Sequence, residues 1–108
     1  MNEDKKQFTG VCDTNVQELC VGDTVKLFHQ TGTVVFEEGA FGIVFLETID
    51  WDTVNRQVEE RTLNAPSFCY NDVFVSFWEL LWNFNCEQEI CSVVERIPNP
   101  NYHEDKSL

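Results

Sequence analysis

Basic residues, glycine, proline and close cysteine pairs are all scarce in this 108-residue chain. Seven Lys and Arg stand against 19 Asp and Glu, a formal net charge of −12. A surface that negative repels phosphate backbones and anionic headgroups, which excludes direct nonspecific nucleic-acid binding and adsorption to membranes. No apolar run approaches the ~20 residues of a membrane-spanning helix. Met1–Gln7 carries charges with no hydrophobic segment behind them, so no signal peptide is expected and the reading is cytoplasmic. With five glycines the chain has no GxGxxG and no GxxxxGK[ST] phosphate motif. None of its four serines, Ser67, Ser76, Ser92 and Ser107, lies in a GxSxG elbow.

The five cysteines, Cys12, Cys20, Cys69, Cys86 and Cys91, are odd in number and include no CxxC or CxxxC spacing. Full internal pairing is impossible, and a zinc site lacks the close pair that orders its ligands. His29 and His103 sit far from any such pair in sequence. The expectation is five reduced thiols acting as small hydrophobes, with no metal and no cofactor. A catalytic thiol needs a base, and no spacing brings His29 to a particular cysteine.

What is plentiful is aromatic. Hydrophobic residues make up 43%, with nine Phe, three Trp and two Tyr among them. Such a chain can bury a modest single core despite its charge. From Phe8 the sequence alternates strand and turn signals. Asp13-Thr14-Asn15 is a turn, Glu18–Val21 a short strand, and Gly22-Asp23 a further turn. Thr24–His29 shows period-two alternation, Gln30–Gly32 is a connection, Thr33–Glu37 a strand, and Glu38-Gly39 a turn into Ala40–Leu46. Gly42 inside that strand points to a bulge or bend. Glu47–Leu63 is a helix or an irregular excursion, and Phe68-Cys69-Tyr70 a short strand. Asn71 or Asp72 can cap a helix running to about Phe84, with Phe74, Phe77 or Trp78, Leu81 and at its end Phe84 as its apolar stripe. Ile90–Ile97 is the last strand. The domain is expected over 9–98, with polar arms over 1–8 and 99–108.

Phe36, Phe41, Ile43, Phe45 and Val94 are the expected core. The acidic residues cluster at Glu37-Glu38, Asp50-x-Asp52, Glu59-Glu60 and Glu87-x-Glu89. Solvated surface explains most such clusters in so acidic a chain. Glu37, Glu38, Asp50, Asp52, Glu59 and Glu60 are nevertheless the candidate partner-binding residues. Gathered on one face, they would imitate the charge spacing of a nucleic-acid backbone and enter the cationic groove of a nucleic-acid enzyme.

Three blocks go beyond composition. Phe8-Thr9-Gly10-Val11-x-Asp13-Thr14-Asn15, then Glu18-Leu19-x-x-Gly22-Asp23-x-Val25-Lys26, resembles the opening of the YopX family of phage and prophage proteins. Thr33–Ile43 resembles its next block, and Cys91-Ser92-Val93-Val94-Glu95-Arg96-Ile97-Pro98-Asn99-Pro100 its close. The chain departs from the family at Val16, where relatives have Gly, and at Glu95-Arg96, where they have Gly-Asn. The resemblance covers about half the chain, and Glu47–Gln88 matches nothing in it. It implies a mostly β, barrel-like fold and no reaction; together with the helix read from the residues, the expectation is a mostly β (or α+β), small barrel-like domain with one helix in its C-terminal half. The function expected is noncatalytic: an accessory protein that binds a host or phage protein in the cytoplasm of the infected bacterium. The alternative is an acidic mimic of nucleic acid that inhibits a host defence or nucleic-acid enzyme. Self-association is left open.

Overall fold

The structure, a computed structural model, describes residues 7–98. The arms expected over 1–8 and 99–108 lie outside the described residues, except for Gln7, whose carbonyl accepts from Val21 N, and Phe8, which opens the first strand. Seven strands and two helices follow in the order β1 (Phe8–Cys12), β2 (Glu18–Cys20), β3 (Thr24–Leu27), β4 (Gln30–Glu37), β5 (Ala40–Phe45), α1 (Trp51–Thr62), β6 (Phe74–Ser76), α2 (Phe77–Asn83) and β7 (Val94–Ile97). The protein is mostly β, as the alternation predicts.

β3, β4 and β5 form the expected meander, extended by β6 and β7 into an antiparallel sheet of order β6-β5-β4-β3-β7. β1 and β2 pair separately as a hairpin. Among the described residues β6 and β7 do not pair with each other, so the sheet stays open where the family resemblance implies a barrel. The period-two pattern decides which side is buried. Val25, Leu27, Val34, Ile43, Phe45, Val75 and Val94 all point to one face, where they form a single core with Val54 and Val58 of α1 and Phe77 and Leu80 of α2. Among the described residues there are thus two helices, both on that core: Glu47–Leu63 takes its helical alternative as α1, beside the one helix expected in the C-terminal half.

Several local expectations need correction. The β3–β4 connection is Phe28–His29, and β4 already starts at Gln30. With no glycine there, Phe28 adopts a left-handed φ of 58°, which is costly for a bulky residue. Its ring packs on Phe84 at 5.8 Å with the Arg61 guanidinium over it at 5.6 Å, contacts that offset the strain. Glu38 and Gly39 both have positive φ (53° and 84°) between the paired Glu37 and Ala40, a two-residue primed turn that matches the sheet's twist. Gly42 makes no bulge. It pairs in regular register with Val35, and a Cβ there would meet Val75 O at 2.4 Å and the Phe74 ring at 2.7 Å. Its role is to let β6 close on β5. Asn71 does not cap a helix, since its side chain accepts from the amides of Val73 and Phe74 as the chain turns into β6. Phe68–Tyr70 is loop, with the Phe68 and Tyr70 rings against Trp51.

The β1–β2 hairpin and β7 are joined by one buried carboxylate. Asp13 is fully buried; its Oδ1 accepts from the amides of Asn15 and Gln17 and its Oδ2 from Arg96 N, each at 2.9 Å. The turn signal read from Asp13-Thr14-Asn15 is therefore also a long-range staple.

Candidate functional site

The six acidic candidates fall into two separate groups. Glu37 ends β4 and Glu38 occupies the β4–β5 turn. Asp50 caps α1, and Asp52, Glu59 and Glu60 ride on it. α1 is tied to the other end of β4, where the Gln30 side chain accepts from Asp50 N at 2.8 Å and donates to Thr48 O at 2.9 Å. Seven residue steps at about 3.3 Å place Glu37 roughly 23 Å from Gln30. The structure therefore does not bring Glu37 and Glu38 together with the α1 acids.

On α1 the charge is partly used by local structure. Asp50 Oδ1 accepts from Thr53 N at 3.1 Å, and Oδ2 accepts from the Thr53 hydroxyl at 2.8 Å and stands 2.9 Å from His29 Nε2. The Thr53 hydrogen bonds, with a further one from His29, hold the Asp50 carboxyl below its ordinary 3.8. Asp52 in the first turn and Arg61 in the last complement the helix dipole. Arg56 lies one turn from both Asp52 and Glu60, so a cation interrupts the acidic row. No group of three or more His, Cys, Asp or Glu among the described residues could hold a metal ion.

A different feature stands out at the opposite end of the sheet. Phe36 and Phe41, expected in the core, form a cross-strand pair with ring centroids 4.7 Å apart, yet Phe36 is 48% exposed and Phe41 half-buried. They lie on the core face beyond the cover of α2. α2 itself is apolar on two sides. Phe77 and Leu80 turn inward and are buried, whereas Trp78 and Trp82, one turn apart, are 71% and 67% exposed. Their rings lie 6.4 Å apart, tilted by 31°. Between α2, the start of β5 and β1 runs an open, mostly apolar groove of about 550 Å³. Phe41, Trp78, Leu81 and Trp82 line its aromatic side, Gly10 and Glu89 the other, and no Lys or Arg lines it.

The helix that presents the tryptophans is firmly placed. Ser76 and Glu79 form a reciprocal capping box, with Ser76 Oγ accepting from Glu79 N at 3.1 Å and Glu79 Oε1 accepting from Ser76 N at 3.0 Å. Glu79 Oε2 accepts from Cys69 N at 2.7 Å. At the other end Asn83, buried, accepts from Ser67 N and donates to Ser67 O and Glu79 O. Both ends of α2 are thus bound to the 63–73 loop, which fixes the outward direction of Trp78 and Trp82.

Sequence reasoning assigned Phe77 or Trp78 to one buried stripe and so missed the pair. The available signal was angular. Phe77, Leu80 and Phe84 cover one helical face while Trp78 and Trp82 cover the next, and one short helix on a small domain cannot bury both.

Among the described residues no disulfide joins the five cysteines: Cys20 and Cys91 are buried, Cys12 and Cys86 half-buried and Cys69 exposed. No helix among the described residues is long and apolar enough to cross a membrane. Comparison of the chain with protein-family models, curated proteins and solved structures found no match.

Proposed function

We propose that this chain is a noncatalytic interaction module, the role its YopX-like blocks imply for a phage or prophage accessory protein, and that it holds a basic partner protein in the groove between β1, β5 and α2. On this reading it acts in the cytoplasm of the host bacterium, on a host or phage protein. The observation that carries the reading is the Trp78–Trp82 pair, exposed yet held in a fixed direction over an apolar groove. Exposed contiguous aromatic surface is what interfaces use, and tryptophan is among the residues that concentrate binding energy there. Charge supports the choice of occupant. Glu89 lines the groove, Glu37 and Glu38 stand at the hairpin turn beside its Gly39 and Ala40, and the whole chain carries −12. A cationic partner gains from that field, whereas a second copy of the same acidic chain is repelled by it.

The reading is tested with model peptides. An amphipathic Lys/Leu peptide should bind with a blue shift of tryptophan emission, and Trp78→Ala or Trp82→Ala should weaken it about tenfold or more. Equal binding by a Lys/Ser peptide of the same charge, or unchanged affinity in both variants, would overturn it. Sedimentation that revealed a dimer dissolved by Trp82→Ala would instead give the groove to a second copy. If the neutralising pairs Asp50→Asn/Asp52→Asn and Glu59→Gln/Glu60→Gln abolished binding while the Trp variants kept it, the nucleic-acid mimic would replace this reading.

A further inference from the structure

The groove between β1, β5 and α2 presents aromatic rings on one wall and one carboxylate on the other. The Trp78 and Trp82 rings are exposed and close to parallel, with 31° between their planes. Phe41 joins them on that wall, and no Lys or Arg lines the groove. Glu89 is exposed on the far wall, its Oε1 3.7 Å from where a Cβ on Gly10 of β1 would stand. Among the described residues that carboxylate has no hydrogen-bonding or ionic partner. The Glu89 carbonyl accepts from Cys12 N at 2.8 Å, so the residue is held by its backbone while its charge is left unpaired.

We propose, resting on the reading that this groove holds a basic partner, that the group it selects is an arginine side chain. The guanidinium plane lies on the indoles of Trp78 and Trp82, and its N–H edge donates to the Glu89 carboxylate. The field of a chain at −12 draws any cation and cannot choose among them. The lining of the groove makes the choice.

Three cations compete for such a site, and the groups present rank them. Tryptophan is the best aromatic platform for a cation, and arginine is the cation found on it more often. The fold already uses a contact of this kind, the Arg61 guanidinium over the Phe28 ring at 5.6 Å. A lysine ammonium is a compact, strongly hydrated charge, and apolar walls with one carboxylate replace little of its water. A guanidinium is planar and weakly hydrated, so it gives up less on leaving water, and its fork can make two parallel hydrogen bonds to a carboxylate. A trimethylated lysine would suit the indoles but has no N–H to donate, which leaves Glu89 without a hydrogen bond. Only the arginine satisfies both walls.

The test compares amphipathic Arg/Leu, Lys/Leu and trimethyllysine/Leu peptides of one length and one charge, titrated against the full chain by calorimetry. Arg/Leu should bind about tenfold more tightly than either of the others. Glu89→Gln should weaken Arg/Leu about fivefold and leave trimethyllysine/Leu within about twofold. Trp82→Phe, which keeps a ring, should retain more of the Arg/Leu preference than Trp82→Leu. Equal affinity for Arg/Leu and Lys/Leu, still lost in the Trp variants, would overturn the arginine assignment and leave the basic-partner reading standing. Tightest binding of trimethyllysine/Leu would overturn it in favour of a methylammonium site. An arginine preference that survives Trp78→Leu/Trp82→Leu, or that Glu89→Gln leaves untouched, would place the guanidinium elsewhere and overturn it as well. No binding by any of the three peptides would overturn both readings. The wild-type and Glu89→Gln titrations decide the matter even if the double Trp variant does not fold.

Discussion

The β4–β5 hairpin is finished in opposite ways at its two ends. At the Gln30 end the chain closes on itself with polar groups: Gln30 bridges Thr48 O and Asp50 N, Asp50 caps α1, and His29 meets Asp50 at 2.9 Å. Beyond that clasp α1 runs 12 residues, about 18 Å at 1.5 Å per residue. At the Glu38-Gly39 end the cover is α2, seven residues and about 10 Å, which starts only after Ser76, opposite Gly42, and runs back toward Phe28. Phe36, Trp78 and Trp82 are left in solvent and Phe41 half-buried as a consequence. The difference teaches where function is to be sought in so acidic a chain. Asp50 at the clasped end has its partners inside the fold, whereas the exposed Trp78 and Trp82 rings at the open end lie against each other.

The largest expected effect separates the inner from the outer side of α2. Leu80 is fully buried, so Leu80→Ala should cost about 2–5 kcal/mol of unfolding free energy through lost transfer energy and the cavity left behind. Trp82→Ala, on the exposed side of the same helix, should stay within about 0.5 kcal/mol. Urea midpoints of the two variants give the comparison. A large loss in Trp82→Ala would mean that the outer ring is a structural element and that the open end is not free for a partner.

How much of this contrast could be read from residues alone follows from range. Alternation in Thr24–Leu27 and the Glu38-Gly39 turn are local signals, and the meander they predict is there. Phe36 and Phe41 are expected in the core because they lie on strands of the recognisable blocks, but their burial depends on where α2 starts, which no local pattern contains. Gly42 likewise reads as a bulge until Phe74 and Val75 arrive beside it from more than 30 residues away. Asp13 was legible as a turn, but its bond to Arg96 N spans 83 residues. The candidate site suffered most. Acidic clusters catch the eye in sequence, and their division between two ends of β4 appears only in three dimensions.

A middle-sized effect probes the clasp. Gln30→Ala removes two side-chain hydrogen bonds and leaves Asp50 N and Thr48 O to water. At about 1 kcal/mol for each bond, the expected loss is about 1–2 kcal/mol. Hydrogen exchange should show the first turn of α1 opening more readily while the amides of α2 keep their protection. Equal loosening of both helices would show that the two ends are mechanically one, and would dissolve the contrast.

The smallest effect is electrostatic and lies at the clasp itself. Asp50 is depressed below 3.8, first by the Thr53 hydrogen bonds and then by His29. A carboxyl whose folded value is lower than its unfolded value contributes stability in full above the unfolded value, and loses it as pH falls through the folded one. Its carboxylate side chain is 37% exposed, so solvent and salt screen much of the interaction. Asp50→Asn keeps an oxygen for the Thr53 amide and removes the charge. Wild type should therefore be slightly more stable than Asp50→Asn at pH 7 and pH 5, and the two urea midpoints should converge as pH drops below 3.8. Raising the salt concentration at pH 7 should narrow the same gap. If the gap stays constant from pH 7 to pH 3, geometry alone holds the clasp, and the charge of Asp50 becomes as free for a partner as that of Glu38 at the open end.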